Sequence, residues 1–401
     1  MTASLILVIN CGSSSIKCSL FDHEQDHEIL SALGERIGST EATLKWTHDG
    51  KKHTVDLGQA DHQQALGKVI EAMQSVGIKP QQLLAAGHRV VHGGEAFSAS
   101  VAITPEVLAT IDQLANLAPL HNPANAQGIR ALQALFPDLP QVAVFDTAFH
   151  QSLPAAAYTY ALPYHFYSEL GVRRYGFHGT SHRYVSAEAV KRLDLDPDDH
   201  RIITAHLGNG CSACAVKNGQ SLDTTMGLTP LEGLVMGTRC GDIDPSLHEF
   251  LARRLDLSLQ DVTAILNKES GLLGISGLSN DMRTLVQAAD DGHVQANLAL
   301  EVFCYRLAKS VAGLAVATGG IDALVFTGGI GENAAGVRER VVTQLHWLGL
   351  NLDVTANLSH GRDQMGLVST THEPAVMVIP TREEWMIAQD TLTLSQTQWD
   401  Q

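Results

Sequence analysis

The 401-residue chain predicts an α/β protein of two domains, and three observations carry that reading. A strand-turn-strand pattern occurs twice with different residues. Leu5–Asn10 runs into Cys11-Gly-Ser-Ser-Ser15 and out through Ile16–Asp22, while Ile202–Leu207 runs into Gly208-Asn-Gly210 and out through Cys211–Val216. Each is an apolar run broken by a tight turn of small residues. Helical patterns and short apolar strands succeed one another between and after these hairpins. The length, finally, is enough for two separate cores. Small turn residues let backbone N–H groups come close to a ligand, and such concavities favour anions. One hairpin in each half of the chain suggests two jaws closing on a polyphosphate.

Residues 5–58 read as β-rich, with Asp49-Gly50 as a hairpin turn. A helix follows over His62–Val76, stopped by Gly77, and then the run Leu83–His92. Pro105–Asn116 and Ala124–Phe136 read as amphipathic helices, the first with Thr104 as cap and Pro105 at the first helical position. Gln141–Phe145 is a short buried strand that delivers Asp146 to its C-terminal end, where ligands bind in open α/β sheets. Thr147–Pro163 is the crossing to the second domain. The second hairpin opens a β-rich stretch, 202–225, followed by helical segments near 246–256, 259–267 and 293–317. The strand Leu324–Thr327 ends in a glycine turn, Gly328–Asn333. Asn333 is then expected to cap a helix over Ala334–Leu348, with Gly349 as its stop. Val376–Ile379 is a last strand and Arg382–Thr391 a closing helix.

Composition is ordinary for a soluble protein, 44% hydrophobic and 17% charged. A formal net charge of −16 argues against nucleic acid or an anionic membrane as partner. An acidic protein that binds phosphate needs local cations, which makes well-placed Lys, Arg and His residues candidates. Leu5–Ile9 is too short for a signal-peptide core, and no stretch approaches a membrane span. The six cysteines (11, 18, 211, 214, 240 and 304) lack the spacing of a secreted framework. Cys211 and Cys214 match C-x-x-C on a predicted strand with no partner pair, a weak signal for redox or zinc chemistry. The expected location is the cytoplasm, with reduced thiols. The glycine turns match no P-loop. Gly329–Asn333 starts like G-x-G-x-x-G but ends in Asn, so a dehydrogenase reading is poorly supported.

Five blocks resemble the acetate kinase family: Asn10–Lys17, Gly171–His182, His206–Gly210, Met236–Arg239 and Thr327–Asn333. The resemblance extends from Leu5 to about Asp390. It implies two duplicated actin-like (ribonuclease H-like) ATPase domains with a cleft between them. The first would span 1–150, completed by 380–401, and the second 151–379. The implied reaction is ATP + acetate ⇌ ADP + acetyl phosphate by direct in-line transfer, in a homodimer with no nucleic-acid or membrane partner. Mg²⁺ would assist, with Mn²⁺ as a substitute.

By the same resemblance, Asn10 and Glu383 correspond to magnesium-associated positions, an amide and a carboxylate oxygen suited to a hard cation. Ser13, Ser15 and Lys17 correspond to the first phosphate hairpin, and His206, Leu207, Gly208, Asn209 and Gly210 to the second. Asp281, Met282 and Arg283, with Gly329, Ile330, Gly331, Glu332 and Asn333, correspond to the adenosine side. Without the resemblance, Asp281 and Arg283 read as a surface pair and Glu383 as a helix-start carboxylate. Arg89, Asp146, His178 and Arg239 correspond to the catalytic set. Phosphoryl transfer spreads charge over equatorial oxygens, and the protein's task is to position and neutralise it. Two arginines offer planar forks and a histidine a further donor. A carboxylic acid substrate is already ionised at neutral pH and needs no base. Asp146 is therefore expected to orient an arginine or the metal's water shell, with proton transfer second.

Arg89 also belongs to the substrate set, with Val91, Leu120, Phe177 and Pro230 as an apolar pocket that leaves little room beyond a methyl group. Acetate is expected to be preferred, with propionate or butyrate as the alternative. Cys240 stands where Ser is expected and Arg382 where Asn is common. A nucleotide-driven clamp or filament protein is the rival of another class, and it would not need Arg89, His178 and Arg239 together.

Overall fold

The computed structural model describes residues 4–24 and 27–399. Its chain divides into two compact units, Met1–Phe149 with Arg382–Gln401, and His150–Thr381.

In the first unit, β1 (Leu5–Cys11), β2 (Ser15–Asp22), β3 (His27–Glu35), β4 (Ala42–His48) and β5 (Lys51–Gly58) form an antiparallel meander. Asp49 and Gly50 both take positive φ between β4 and β5, the requirement of a two-residue hairpin turn. β6 (Leu83–Val90) lies parallel to β1, and β8 (Gln141–Phe145) parallel to β6, with the two-residue β7 (Val101–Ala102) at the edge. The order is β5-β4-β3-β2-β1-β6-β8-β7.

The run Leu5–Ile9 is buried along its whole length, which explains why it is continuously apolar rather than alternating. Pleating divides it between two cores. Leu5, Leu7 and Ile9 point to one side, into a cluster with Leu66 and Val69 of α1 (His62–Ser75) and Leu132 of a later helix. Ile6 and Val8 point to the other, against Ile387 and Ala388 of the closing helix, Glu383–Trp399. That helix lies directly on β6, where a Cβ on Gly87 would stand 2.2 Å from Thr391 Oγ1 and 2.7 Å from Ile387 Cγ2. α2 (Pro105–Gln113) begins as expected, the Thr104 hydroxyl accepting from the Val107 amide and Pro105 opening the helix. α3 (Asn122–Leu135) starts two residues earlier than its apolar pattern suggests.

The second unit carries α4 (Gly179–Leu193), then β9 (Arg201–Leu207), β10 (Cys211–Lys217) and β11 (Gln220–Thr224) as an antiparallel meander. α5 (Met282–Asp290) and the long α6 (Val294–Thr318) precede β12 (Ala323–Thr327), which is parallel to β9, and β13 (Ala375–Val378), parallel to β12. The order β11-β10-β9-β12-β13 repeats β3-β2-β1-β6-β8, strand for strand and sense for sense. The duplication seen as two hairpins thus extends to five strands of each sheet.

Two expectations are corrected here. Gly328–Asn333 is a short helix, α7, rather than a turn. Asn333 does not cap the next helix, α8 (Ala335–Gln344); its side-chain amide donates back to the Gly329 carbonyl at 2.9 Å. Among the described residues, no helix is long and apolar enough to cross a membrane.

Candidate active site

In the first unit, the turn after β1 is closed by the Gly12 amide donating to the Ser15 carbonyl at 2.8 Å. Ser13, Ser15 and Lys17 are exposed, and Asn10 is half-buried opposite Lys17 in the β1–β2 register. β6 and β8 run in parallel, so their C-terminal ends bring Arg89 and Asp146 together. Arg89 donates from Nε to Oδ1 at 2.9 Å and from Nη2 to Oδ2 at 2.6 Å. Asp146 is 2% exposed, and this two-pronged bond engages both of its oxygens. Burial pulls the Arg89 guanidinium down, but the charge and hydrogen bonds of Asp146 outweigh it and the group stays firmly cationic.

The closing helix begins beside them. Glu383 is pushed up to about 7, first by burial and then by the charges of Asp146 and Glu384, against partial relief from Arg89 and Lys17. Glu384 pairs with Lys17, which outweighs burial and holds its carboxyl below the ordinary range. Three carboxylates thus share two cations, a surplus of negative charge that a divalent cation would relieve. Among the described residues no cluster of three His, Cys, Asp or Glu forms a cage. A half-buried Asn10 amide with Glu383 fits instead a hard ion that keeps most of its ligands as water and phosphate oxygens.

A pH effect follows. In the metal-free protein Glu383 binds its proton up to about 7, against an ordinary 4.5. The folded state therefore holds an extra proton in that window, and stability falls as pH rises through it. Glu383→Gln should melt higher than the native chain at pH 8, with the advantage shrinking by pH 5, in thermal denaturation with EDTA. Equal melting at pH 8 would contradict the crowding described.

Two side chains that carry no sequence signal hold this half in place. Asn125, on α3, accepts from the Val91 amide at 3.0 Å and donates to the Cys11 carbonyl at 2.7 Å, tying the end of β1 to the end of β6. Asn122, three residues earlier, does the same for both backbone groups of His92. Of the expected acyl-pocket residues in this unit, Val91 is 7% and Leu120 72% exposed.

In the second unit, the Gly208 amide donates to the Gly210 carbonyl at 3.0 Å. A Cβ on Gly210 would lie 3.4 Å from Arg239 Nη1 and 3.5 Å from the His178 ring, so both side chains flank the turn. His178 takes positive φ just before α4 and stacks on His206, ring centres 4.3 Å apart. Arg239 donates from Nη1 to the Pro230 carbonyl at 3.2 Å, and burial pulls its pKa down. Phe177 is buried, its carbonyl accepting from His150 Nε2 at 3.0 Å.

A hollow of about 640 Å³ brings together Gly208–Asn209, Asp281–Arg283 and Gly329–Ile330 with Asn333. That volume lies within the range of small-molecule sites. Asp281 caps α5, accepting from the Thr284 amide at 2.9 Å. Glu332 is committed to backbone, accepting from the amides of Gly328 and Thr381 at 3.0 and 3.1 Å. Asn280 was not singled out in the sequence, yet its amide donates to Asn209 Oδ1 at 3.0 Å and fixes the tip of the turn. Cys211 and Cys214 are buried free thiols, both pushed up to about 12 by burial. Cys240 is a half-buried free thiol.

Sheet order and strand sense place the chain in the class of α/β proteins built on a duplicated five-stranded sheet. It belongs to the acetokinase family, whose model matches residues 5–389. An acetate kinase of Ectopseudomonas mendocina is 56% identical over 394 residues, covering 98% of this chain and all of that one. The crystal structure of Porphyromonas gingivalis acetate kinase has a TM-score of 0.92 at 45% identity, covering 98% of this chain and 100% of that one. A propionate kinase from Francisella tularensis also gives 0.92, at 44% identity and the same coverage.

Proposed function

We propose that the protein transfers the γ-phosphoryl group of ATP to acetate, reversibly, giving ADP and acetyl phosphate. The observation that carries this reading is identity above one half to an acetate kinase along nearly the whole chain. The geometry supports a role for each group. The hollow of the second unit would take adenosine, with the phosphates directed along Gly208–Gly210. Ser13, Ser15 and Lys17 would offer donors to phosphate from the first unit. Asn10 and Glu383 would hold Mg²⁺, which supplies positive charge against phosphate oxygens when bound; Mn²⁺ would substitute.

Arg89, aimed by Asp146, would bind the acceptor carboxylate. Arg239 and His178 would stabilise charge on the transferred phosphoryl, whose equatorial oxygens carry it in the transition state. Val91, Leu120, Phe177 and Pro230 would meet the acyl methyl group. The working form would be a cytoplasmic homodimer, which sedimentation velocity would report as twice the chain mass.

The equal structural likeness to a propionate kinase keeps that acid as a second reading. Purified protein with Mg-ATP and each acid, trapped with hydroxylamine, separates the two. Acetate should give hydroxamate fastest, with propionate at roughly a tenth of its kcat/KM or less, since one methylene is worth about 1–3 kcal/mol. A propionate or butyrate maximum would move the substrate. No hydroxamate with any acid, despite ATP binding, would favour the clamp reading.

A further inference from the structure

His178 immediately precedes α4 and His182 lies in its first turn, and both rings reach the same hydroxyl on β10. Ser212 Oγ is 2.9 Å from His178 Nδ1 and 2.7 Å from His182 Nε2. The second nitrogen of His182, Nδ1, is 2.7 Å from the hydroxyl of Thr204 on β9. Ser212, His182 and Thr204 are all 0% exposed. A hydroxyl has one hydrogen to give, so the four groups must agree on a direction.

Thr204 decides it. Its other acceptor, the Cys214 carbonyl, is 3.5 Å away, at the outer limit of a hydrogen bond, whereas His182 Nδ1 is at optimal distance. Thr204 therefore donates to Nδ1, and a neutral His182 carries its hydrogen on Nε2 and donates to Ser212. The serine hydroxyl then donates to His178 Nδ1. His178 is left with its hydrogen on Nε2.

We propose that Ser212 is a positioning residue that holds His178 in the Nε2–H tautomer, the direction of its hydroxyl being set by Thr204 through His182. The inference rests on the reading of His178 as a donor to the transferred phosphoryl, for which Nε2–H is the form needed. Sequence motifs gave no hint of it, because Ser212 sits on a buried strand among other small residues and only the packing of α4 on β9 and β10 brings it under both rings.

The test uses full-length protein labelled with ¹⁵N-histidine, with Ser212→Ala, Thr204→Val and His178→Ala compared in the hydroxamate assay. Ser212→Ala should lower kcat by about ten- to a hundredfold, the scale of losing a partner that only orients a working imidazole, with the KM values for ATP and acetate within about twofold. Its His178 ¹⁵N shifts should move from the Nε2–H pattern to a tautomer mixture. Thr204→Val, which removes no group touching His178, should shift the same signals in the same direction. An unchanged kcat, or a lowered kcat with unchanged His178 shifts, in Ser212→Ala would overturn the inference. Unchanged turnover in His178→Ala would instead overturn the reading beneath it, whatever Ser212→Ala does.

Discussion

Arg239→Ala is expected to cut turnover with acetate by about a thousandfold or more, the scale of losing a cation aimed at developing charge. ATP affinity should stay within about threefold, because the hollow beside Gly208–Asn209 does not include Arg239. The expectation comes from what the guanidinium lacks. Among the described residues Arg239 has no carboxylate partner; Nη1 alone is engaged, by the Pro230 carbonyl and the Met236 sulfur. A partly buried cation with uncommitted donors beside a glycine turn is arranged to receive an anion. Arg239→Lys should recover little, since an ammonium cannot reproduce the planar fork. Hydroxamate formation and nucleotide binding by fluorescence titration check both statements, and an alanine variant with native turnover would remove Arg239 from the mechanism.

Asp146→Asn is the second large effect. It keeps the side-chain shape but withdraws the charge that both prongs of Arg89 meet. A broken buried pair costs roughly 3–5 kcal/mol, less here because the Arg89 side chain is 23% exposed, so a loss of about 2–4 kcal/mol in unfolding free energy is expected. Turnover should fall by about a hundredfold as the fork loses its aim. Double-mutant analysis separates orientation from proton transfer. If Asp146 acts through Arg89, the losses of Asp146→Asn and Arg89→Ala should not add in kcat. Additive losses would give Asp146 a task of its own.

The fold was largely legible where apolar periodicity carried it. Both hairpins, the Asp49-Gly50 turn, the Thr104-Pro105 start of α2 and the strands ending at Phe145 and Thr327 lie where their residues indicate. α4 was invisible for a physical reason. Its buried face includes Thr180, Ser181 and His182, of which Ser181 bonds to His206 and His182 to Thr204 instead of filling an apolar core. A search for apolar residues at helical spacing cannot find such a face. α7 was hidden by its three glycines, poor helix formers, and is held by side-chain bonds from its own Glu332 and from Arg338 beyond it. Glu332 accepts from the Gly328 amide, and the fully buried Arg338 donates to the carbonyls of Gly331 and Glu332. Asn122, Asn125, Asn280 and Ser212 hold parts of the candidate site in place through long-range contacts, and no local spacing announces them.

The closing helix has a bearing on how the protein comes into being. Ile6, Val8, Leu84, Val142 and Val144 present one face of the first sheet to Ile387 and Ala388, and Gly87 lets that helix settle against bare backbone. A ribosome working from the N-terminus makes those strands early and their cover last, after all of 150–381. Through most of synthesis the nascent sheet carries an uncovered apolar face, a surface for holdase chaperones and a hazard for neighbouring chains on a polysome. The second unit, contiguous in sequence, suffers no such delay and can mature first.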